Sequence, residues 1–336
     1  GRDLRPASLS RGELFPPSAS IERRRGTMPG LTTAVRLLDG ATVRAAILAL
    51  RGEVGPFEPP GSPDPGLVDV VEQPFDSVAD TTDRLARLED RLRTRNDRRA
   101  VFLTIYTRMT RAVRAGIEGG RFADPEWMRD YLVAFADYYR RAFLAFEQGR
   151  LDAVPEPWRI AFGTALRGDD LVLQDSYLGV NAHINYDLAL ALADVGLDPN
   201  RDRKYADHRA IDGILADLVD VQQDALAAAY APGVDDLDRA LGRLDESLTL
   251  RSMTEGREQA WRIAVVLSDA GWAPIDAYAR WVLRTTATGG AFLILSPRLD
   301  PTLFRTLRRI ETEELDIDDV LDPVAERFAA MDPWEG

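Results

Sequence analysis

The chain of 336 residues contains no cysteine, only two histidines and a single lysine, Lys204. Without cysteine, a disulfide scaffold, a thiolate zinc site, an iron–sulfur cluster and a catalytic thiol are all excluded. Any metal would therefore need histidine or carboxylate ligands. No apolar run is long enough to span a membrane, and residues 1–27 lack the apolar stretch of a secretory signal. We expect no membrane span and a cytoplasmic location.

Charge is unevenly divided, with 55 Asp+Glu against 42 Lys+Arg and a formal net charge of -13. The acids are mainly aspartate, 37 against 18 glutamates, and 41 of the 42 bases are arginine. A surface rich in short carboxylates retains hydration water and stays soluble at high salt. The composition therefore indicates a halophile-like protein, although a GC-rich genome would also favour arginine over lysine. The same negative field argues against nucleic acid as the main partner.

Proline and glycine divide the chain into three parts. Residues 1–27 are rich in proline and serine without apolar periodicity, which is typical of a disordered leader. Residues 28–74 form an N-terminal extension that ends in a proline-rich linker at about 52–66. We expect the compact domain to cover residues 75–336.

Within this domain the apolar residues recur every three or four positions, the period of an α-helix. Asp76-Ser77 and Asp97 are suited to cap helices, and Asp124-Pro125-Glu126 is a helix-start pattern. No stretch alternates apolar and polar residues as a strand would. The predicted fold is all-α: one orthogonal bundle of about ten helices around a buried central helix. Predicted helices cover about 77–93, 97–117, 124–149, 155–167, 170–195, 204–230, 235–247, 255–271, 274–294, 300–311 and 316–330.

The predicted central helix combines an apolar surface with several polar side chains. Leu171–Ala193 is apolar around most of its circumference, yet it carries Asn181, His183, Asn185 and Asp187. His183 and Asp187 lie about 40° apart on one helix face, and the two asparagines share another face. Burying such groups without partners costs about 1–3 kcal/mol each, so they must meet polar groups, water or a ligand.

The next predicted helix repeats the His-x-x-x-Asp spacing with His208 and Asp212. Because consecutive helices are usually neighbours, His183, Asp187, His208 and Asp212 together would supply two imidazoles and two carboxylates, a ligand set for zinc, manganese or non-haem iron. The alternative is structural. Each pair would then stabilise its own helix, and His208 would be a solvated surface residue.

Three segments resemble the domain of unknown function 5995 family: LGVNAHINYDL (178–188), RAVFLTIYTRMT (99–110) and REQAW (257–261). The similarity covers about residues 70–300, and the N-A-H-I-N-x-D-L motif is specific. The resemblance implies no established activity, cofactor or partner. It adds weight to the positions that match the motifs, which are Asn181, His183, Asn185, Asp187, Arg257, Glu258 and Trp261. His208 is not part of the family motif.

Arg257 lies on the same predicted helix face as Trp261, four residues later. Its guanidinium would pair with buried Asp187 or Asp175, bind an anionic substrate group, or lie at the surface as a free cation.

Two functions follow as hypotheses. The first is a metal-dependent hydrolase that acts on a small molecule, with Asp187, Arg257 and Glu258 as catalytic residues and Asn181, Asn185, Trp261 and Tyr131 as ligand-binding residues. The second is a non-catalytic protein that binds an apolar small molecule or a partner while the polar residues form an internal network. Its pocket would be lined by aromatic residues, namely Trp127, Tyr131, Phe135, Tyr138, Trp158 and Trp261.

Overall fold

A computed structural model describes residues 37, 40–52, 58–230, 253–296, 301–330 and 334. Every regular element in these ranges is a helix and none is a strand, so the all-α prediction is confirmed. The predicted leader, residues 1–27, and the predicted helix at about 235–247 lie outside the described residues. None of the helices in the described ranges combines the length and the apolar character needed to cross a membrane.

The α-helices are numbered in chain order as α1 (Gly40–Arg51), α2 (Pro65–Val71), α3 (Val78–Arg93), α4 (Ala100–Glu118), α5 (Pro125–Glu147), α6 (Glu156–Arg167), α7 (Val172–Ala182), α8 (Leu188–Val195), α9 (Arg201–Ala210), α10 (Asp212–Tyr230), α11 (Met253–Asp269), α12 (Ala273–Leu295), α13 (Pro301–Glu313) and α14 (Ile317–Ala330). A short 3₁₀ turn, Leu151–Ala153, lies between α5 and α6.

Two of the three predicted helix caps are confirmed. The Ser77 hydroxyl accepts a hydrogen bond from the Asp80 backbone N–H at the start of α3, 3.1 Å away. Asp124 accepts one from the Trp127 N–H at 3.2 Å, with Pro125 as the first residue of α5. Asp97 differs from the prediction, because α4 begins only at Ala100 and Asp97 instead accepts from the backbone N–H of Arg99. The carboxylate therefore orders the turn before the helix.

The segment from α7 to α8 is continuous helical backbone with one wider turn in its middle. Residues His183–Asp187 form a π-helical turn, in which the Leu188 N–H bonds to the His183 carbonyl five residues earlier. The sequence predicted an uninterrupted helix here. Such π turns are rare and occur frequently at functional sites. This one carries both members of the predicted His183–Asp187 pair.

Helix α5 connects the two large clusters of the hydrophobic core. Tyr139 and Phe143 belong to the first cluster, together with buried residues of α3, α4, α6 and α7. Trp127 and Tyr131 belong to the second, together with residues of α8, α11 and α12. The α7–α8 segment contacts α4, α5, α6, α11 and α12, so its polar side chains are enclosed by five helices.

The part of the chain before residue 75 also packs onto these helices. Leu67 and Val71 of α2 are buried in the same cluster as Phe75, so the boundary predicted near residue 75 falls within a continuous core. Helix α1 lies against α12, where Gly289 meets the backbone of Ala45. A side chain at position 289 would separate the two helices.

Candidate functional site

His183 and Asp187 form a buried hydrogen-bonded pair inside the π turn. Nδ1 of His183 lies 2.9 Å from Oδ2 of Asp187. The two residues are 2% and 0% exposed. The same carboxylate oxygen accepts a second bond from Nε1 of Trp158 on α6, at 2.7 Å. Since the carboxylate is an acceptor, Nδ1 of the imidazole is the donor. Asp187 therefore fixes both the orientation and the tautomer of His183.

Aromatic rings enclose the imidazole of His183. Phe135 stacks on it with ring centroids 3.6 Å apart, and Tyr106 meets it edge-on at 4.4 Å. Burial lowers the pKa of His183, against the opposing effect of Asp187. Burial also raises the pKa of Asp187, and the hydrogen bonds from His183 and Trp158 oppose that rise. The ring is therefore held neutral in apolar surroundings.

The second ring nitrogen of His183 is unpartnered. Nε2 is buried and has no hydrogen-bond partner among the residues that the structure describes. His183 lines an apolar cavity of about 60 Å³ together with Phe102, Tyr106, Phe135, Val180 and Leu215. In a neutral imidazole with its proton on Nδ1, Nε2 carries a lone pair and accepts hydrogen bonds. An unsatisfied acceptor of this kind inside a core indicates a place for a donor.

The second predicted pair, His208 and Asp212, lies in a separate polar cluster around Arg257. Nδ1 of His208 is 3.1 Å from the hydroxyl of Tyr131 and 3.2 Å from the guanidinium of Arg257. Nε2 of His208 lies 3.3 Å from the carbonyl oxygen of Arg257. Both ring nitrogens are therefore engaged. His208 is 1% exposed, which corrects the alternative of a solvated surface residue. Burial, aided by Arg257, lowers its pKa well below the usual value.

Arg257 pairs with neither of the carboxylates expected from the sequence. Its Nε donates to Asp212 at 2.8 Å, and its guanidinium also donates to the carbonyl of His208. Asp175 instead pairs with Arg98 at 2.6 Å. At 3% exposure Arg257 is not a surface cation either. The packing of the helices explains this pairing. Helix α11, which carries Arg257, packs on α10 as well as on the π turn, and Asp212 at the start of α10 lies within hydrogen-bond distance of Arg257.

Three cavities meet at Arg257. It lines the cavity beside His183, a second apolar cavity of about 40 Å³ that includes Tyr131, and a polar cleft of about 540 Å³ that includes His208 and Asp212. The two apolar cavities also share Tyr106 and Phe135. Arg257 is thus the side chain at which the polar cleft and the apolar interior adjoin.

The two asparagines predicted to bind ligand form a chain of hydrogen bonds that ends on the backbone of α12. Nδ2 of Asn185 donates to Oδ1 of Asn181 at 3.0 Å, and Nδ2 of Asn181 donates to the carbonyl of Ala287 on α12 at 2.8 Å. A Cβ added at Gly256 or Gly290 would lie 2.7 or 2.5 Å from an asparagine oxygen. The glycines therefore allow α11 and α12 to approach the π turn closely, and neither asparagine lines the three cavities described above.

The remaining predicted residues lie on the side of the polar cleft. Glu258 lines the cleft, accepts a hydrogen bond from Tyr205 at 2.6 Å and pairs with Arg262 at 3.1 Å. The ring of Trp261 lies 5.3 Å from that of His208 without lining these three cavities. Of the six aromatic residues expected around a pocket, Tyr131 and Phe135 line the apolar cavities.

The four predicted metal ligands are not brought together as one set. All four lie in the described ranges, and those ranges contain no group of three or more His, Asp or Glu side chains arranged to hold a metal ion. Both nitrogens of His208 have partners, Asp212 neutralises Arg257, and Asp187 accepts from Nδ1 of His183. A metal at this site stays a prediction. Among the four side chains, Nε2 of His183 and Oδ1 of Asp187 are buried without a partner in the described ranges, and Oδ2 of Asp187 orients the imidazole.

The two histidines should occupy opposite tautomers, and this can be measured directly. His183 donates through Nδ1 to a carboxylate, whereas His208 accepts at Nδ1 from Arg257 and donates through Nε2 to a carbonyl. Because the chain has only two histidines, ¹⁵N-histidine labelling gives only four ring signals. We expect the protonated nitrogen to be Nδ1 in one ring and Nε2 in the other at neutral pH. Two identical tautomers would contradict this geometry.

The fold and the site define an all-α protein with a buried, carboxylate-oriented histidine beside apolar cavities. Residues 78–297 match the family model described as Family of unknown function (DUF5995), and the chain belongs to that family. The resemblance seen in the sequence is thereby confirmed, and the match includes both histidines and Arg257. No curated protein and no solved structure matches the chain.

Two side chains of the site were missed by the sequence analysis. Trp158 was assigned to a pocket wall, whereas it donates to Asp187 from 29 positions away. Gln259 lies within REQAW but received no role, although it lines the polar cleft and is buried. No local spacing links Trp158 to Asp187. For Gln259 the sequence offers only a weak indication of a role. It lies two residues after Arg257, and a polar side chain that becomes buried there needs a hydrogen-bond partner of its own.

Proposed function

We propose that the protein binds a small molecule in the apolar cavity beside His183 and that a hydroxyl or other donor of this molecule bonds to Nε2. The observation that carries the proposal is Nε2 of His183, which is buried without a partner in the described ranges, is held as an acceptor by Asp187 and belongs to a ring that lines an apolar cavity. Ligand sites typically combine apolar walls with a few fixed polar groups that set orientation.

The cavity is suited to a short chain. One water-sized group needs about 10–15 Å³ of cavity volume. The cavity of about 60 Å³ beside His183 thus accommodates roughly four to six such groups, and the cavity of about 40 Å³ roughly three. Met109 lines both cavities, and methionine adapts easily to a changing shape. A primary alcohol of three or four carbons has the size and the donor that the site requires.

The proposal is tested by titrating ¹⁵N-histidine-labelled protein with 1-butanol, with diethyl ether as a comparison of similar size that has no donor. We expect 1-butanol to shift the Nε2 signal of His183 in a saturable manner, because accepting a hydrogen bond changes the shielding of that nitrogen. The signals of His208 serve as an internal control and should stay in place. The ether should leave Nε2 unchanged.

A pair of variants separates the acceptor from the cavity. Leu215→Phe fills the cavity beside His183 and should abolish the 1-butanol shift while the imidazole remains oriented by Asp187. Leu192→Met is the control, since Leu192 is buried in the second core cluster without lining this cavity. It should leave the shift intact. Equal shifts of both histidines, or no shift at any concentration, would overturn the proposal.

Hydrolysis is a second candidate, and the carboxylate–imidazole arrangement favours it. An aspartate that orients Nδ1–H leaves Nε2 able to take a proton from water or a substrate hydroxyl, as a general base does. The metal-dependent version adds one ion at Nε2. Addition of zinc to the labelled protein tests that version, since coordination would displace the Nε2 signal strongly. An unchanged signal at excess zinc would rule out His183 as a metal ligand.

A further inference from the structure

We infer that the ligand is amphiphilic, with an electrically neutral, hydrogen-bonding head in the polar cleft and a short apolar part that passes Arg257 towards His183. The inference rests on the proposed function and adds a second, larger subsite to it. It is carried by the shared wall at Arg257, by the balance of charge in the cleft and by a second unpartnered side chain.

Arg257 forms part of the wall of the polar cleft and of both apolar cavities. Arg257 is fixed by Asp212 and by the backbone of His208, so its guanidinium does not move freely with each ligand. Its side chain nevertheless lines the polar cleft and both apolar cavities. The aliphatic part of an arginine packs against apolar groups while its guanidinium remains among polar ones. A ligand that occupies both spaces must therefore change from polar to apolar at this residue.

The charge of the cleft is balanced. Three arginines (Arg209, Arg257, Arg262) and three acids (Asp212, Glu255, Glu258) line it. The arginines are already paired, with N–O distances of 3.4 Å from Arg209 to Asp212, 2.8 Å from Arg257 to Asp212, and 3.1 Å from Arg262 to Glu258. An anionic head would have to compete with these carboxylates, and a cationic head with these guanidinium groups. A neutral head that offers several donors and acceptors meets no such competition.

The second unpartnered side chain is Gln259. It lines the cleft and is 6% exposed, and its side-chain Nε2 is buried with no hydrogen-bond partner in the part of the chain that the structure describes. Leaving such an amide unsatisfied is costly, so a hydroxyl group of the head at this point would remove the cost. Tyr205 and Thr254 also line the cleft, and each carries a hydroxyl suited to a neutral head. This set of groups is suited to a polyhydroxylated head such as a sugar.

The test uses a probe that spans both subsites, 4-hydroxybutyl β-D-glucoside. This probe keeps the terminal hydroxyl of 1-butanol and carries a sugar at the other end of the carbon chain. Binding is followed by the Nε2 signal of His183. We expect the glucoside to bind about tenfold more tightly than 1-butanol, the gain from a small number of net hydrogen bonds. 4-Hydroxybutanoate, with a charged group in place of the sugar, should bind no more tightly than 1-butanol.

Gln259→Leu assigns the gain to the cleft. The variant should lose about half or more of the glucoside's advantage, since one of its few hydrogen bonds is removed. Its dissociation constant for 1-butanol should stay the same. Gln148→Leu, outside the cleft, should behave like the unmodified protein. If 1-butanol fails to bind, the proposed function fails. If 1-butanol binds but the glucoside gains nothing, or the carboxylate probe binds more tightly than the glucoside, this inference alone is overturned.

Discussion

Replacing Asp187 with alanine should destabilise the fold by about 2–6 kcal/mol, because two buried donors each lose their acceptor at about 1–3 kcal/mol. Nε1 of Trp158 and Nδ1 of His183 both donate to this carboxylate, at 2.7 and 2.9 Å. Phe135 stacks on the imidazole of His183 and Phe162 stacks on the indole of Trp158, so the surroundings of both donors are largely aromatic. Urea denaturation of the two proteins at neutral pH measures the difference.

A surface pair provides the control for this loss. Asp276 and Arg280 on α12 have the same spacing and a similar distance of 2.9 Å, but their side chains are 39% and 57% exposed. Exposed pairs contribute about 0–1 kcal/mol, so Asp276→Ala should change stability little. Equal losses in the two variants would show that Asp187 is not the acceptor on which Trp158 and His183 depend.

Asp187→Asn separates binding from catalysis at the same position. The amide oxygen of asparagine can still accept from Trp158 and His183, so the imidazole keeps its tautomer and its free Nε2. Binding of 1-butanol should therefore survive. A general base needs the negative charge as well, because the carboxylate stabilises the imidazolium that forms during the reaction. Retained binding with loss of a hydrolytic activity would support the catalytic candidate, and loss of binding would contradict the binding proposal.

The fold was predictable because its signals are local and repeated. Helix periodicity, the Ser77 cap and the Asp124-Pro125 start are each contained within a few residues, and the structure has helices at these places. The break at Ile211 was missed, since no proline or glycine precedes it, and α9 and α10 were predicted as one helix. The π turn was also missed. It depends on a hydrogen bond from Leu188 to His183 and not on a distinctive residue type.

The site was predictable only in part, because its partners are distant in the sequence. The His183–Asp187 pair could be identified from a four-residue spacing on a buried helix, and it is present. The choice of Asp212 as the partner of Arg257, 45 positions away, depends on how α10 and α11 pack. Spacing gives candidate groups, but it does not tell which of them are already satisfied by hydrogen bonds. Within the described residues, the hydrogen bonds leave Nε2 of His183 and Oδ1 of Asp187 as the buried, unpartnered atoms of the predicted metal set.

The response to pH should come from two pairs of buried groups that oppose each other. Burial lowers the pKa of His183 and His208 in the folded state, so the unfolded chain takes up protons first as pH falls through about 6.5. The stability that these histidines supply above that pH is then lost on acidification. Burial acts in the opposite direction on acids: it raises the pKa of Asp187, and that of Asp175 to about 7. The folded state binds these protons first, so the acids favour folding as pH falls.

Between pH 6.5 and 5 the two effects should oppose each other, so the unmodified protein should lose less stability on acidification than its histidines alone would cause. Asp175→Asn removes one opposing group, so its unfolding equilibrium constant should rise, relative to that of the unmodified protein, by up to about tenfold for each unit that the pH falls, the effect of one net proton. The part of the substitution's cost that does not depend on pH cancels when the slopes are compared. Urea titrations at three pH values give both slopes, with Asp276→Asn as the surface control. Parallel slopes for Asp175→Asn and the unmodified protein would show that Asp175 is ionised in the fold, its charge stabilised by Arg98.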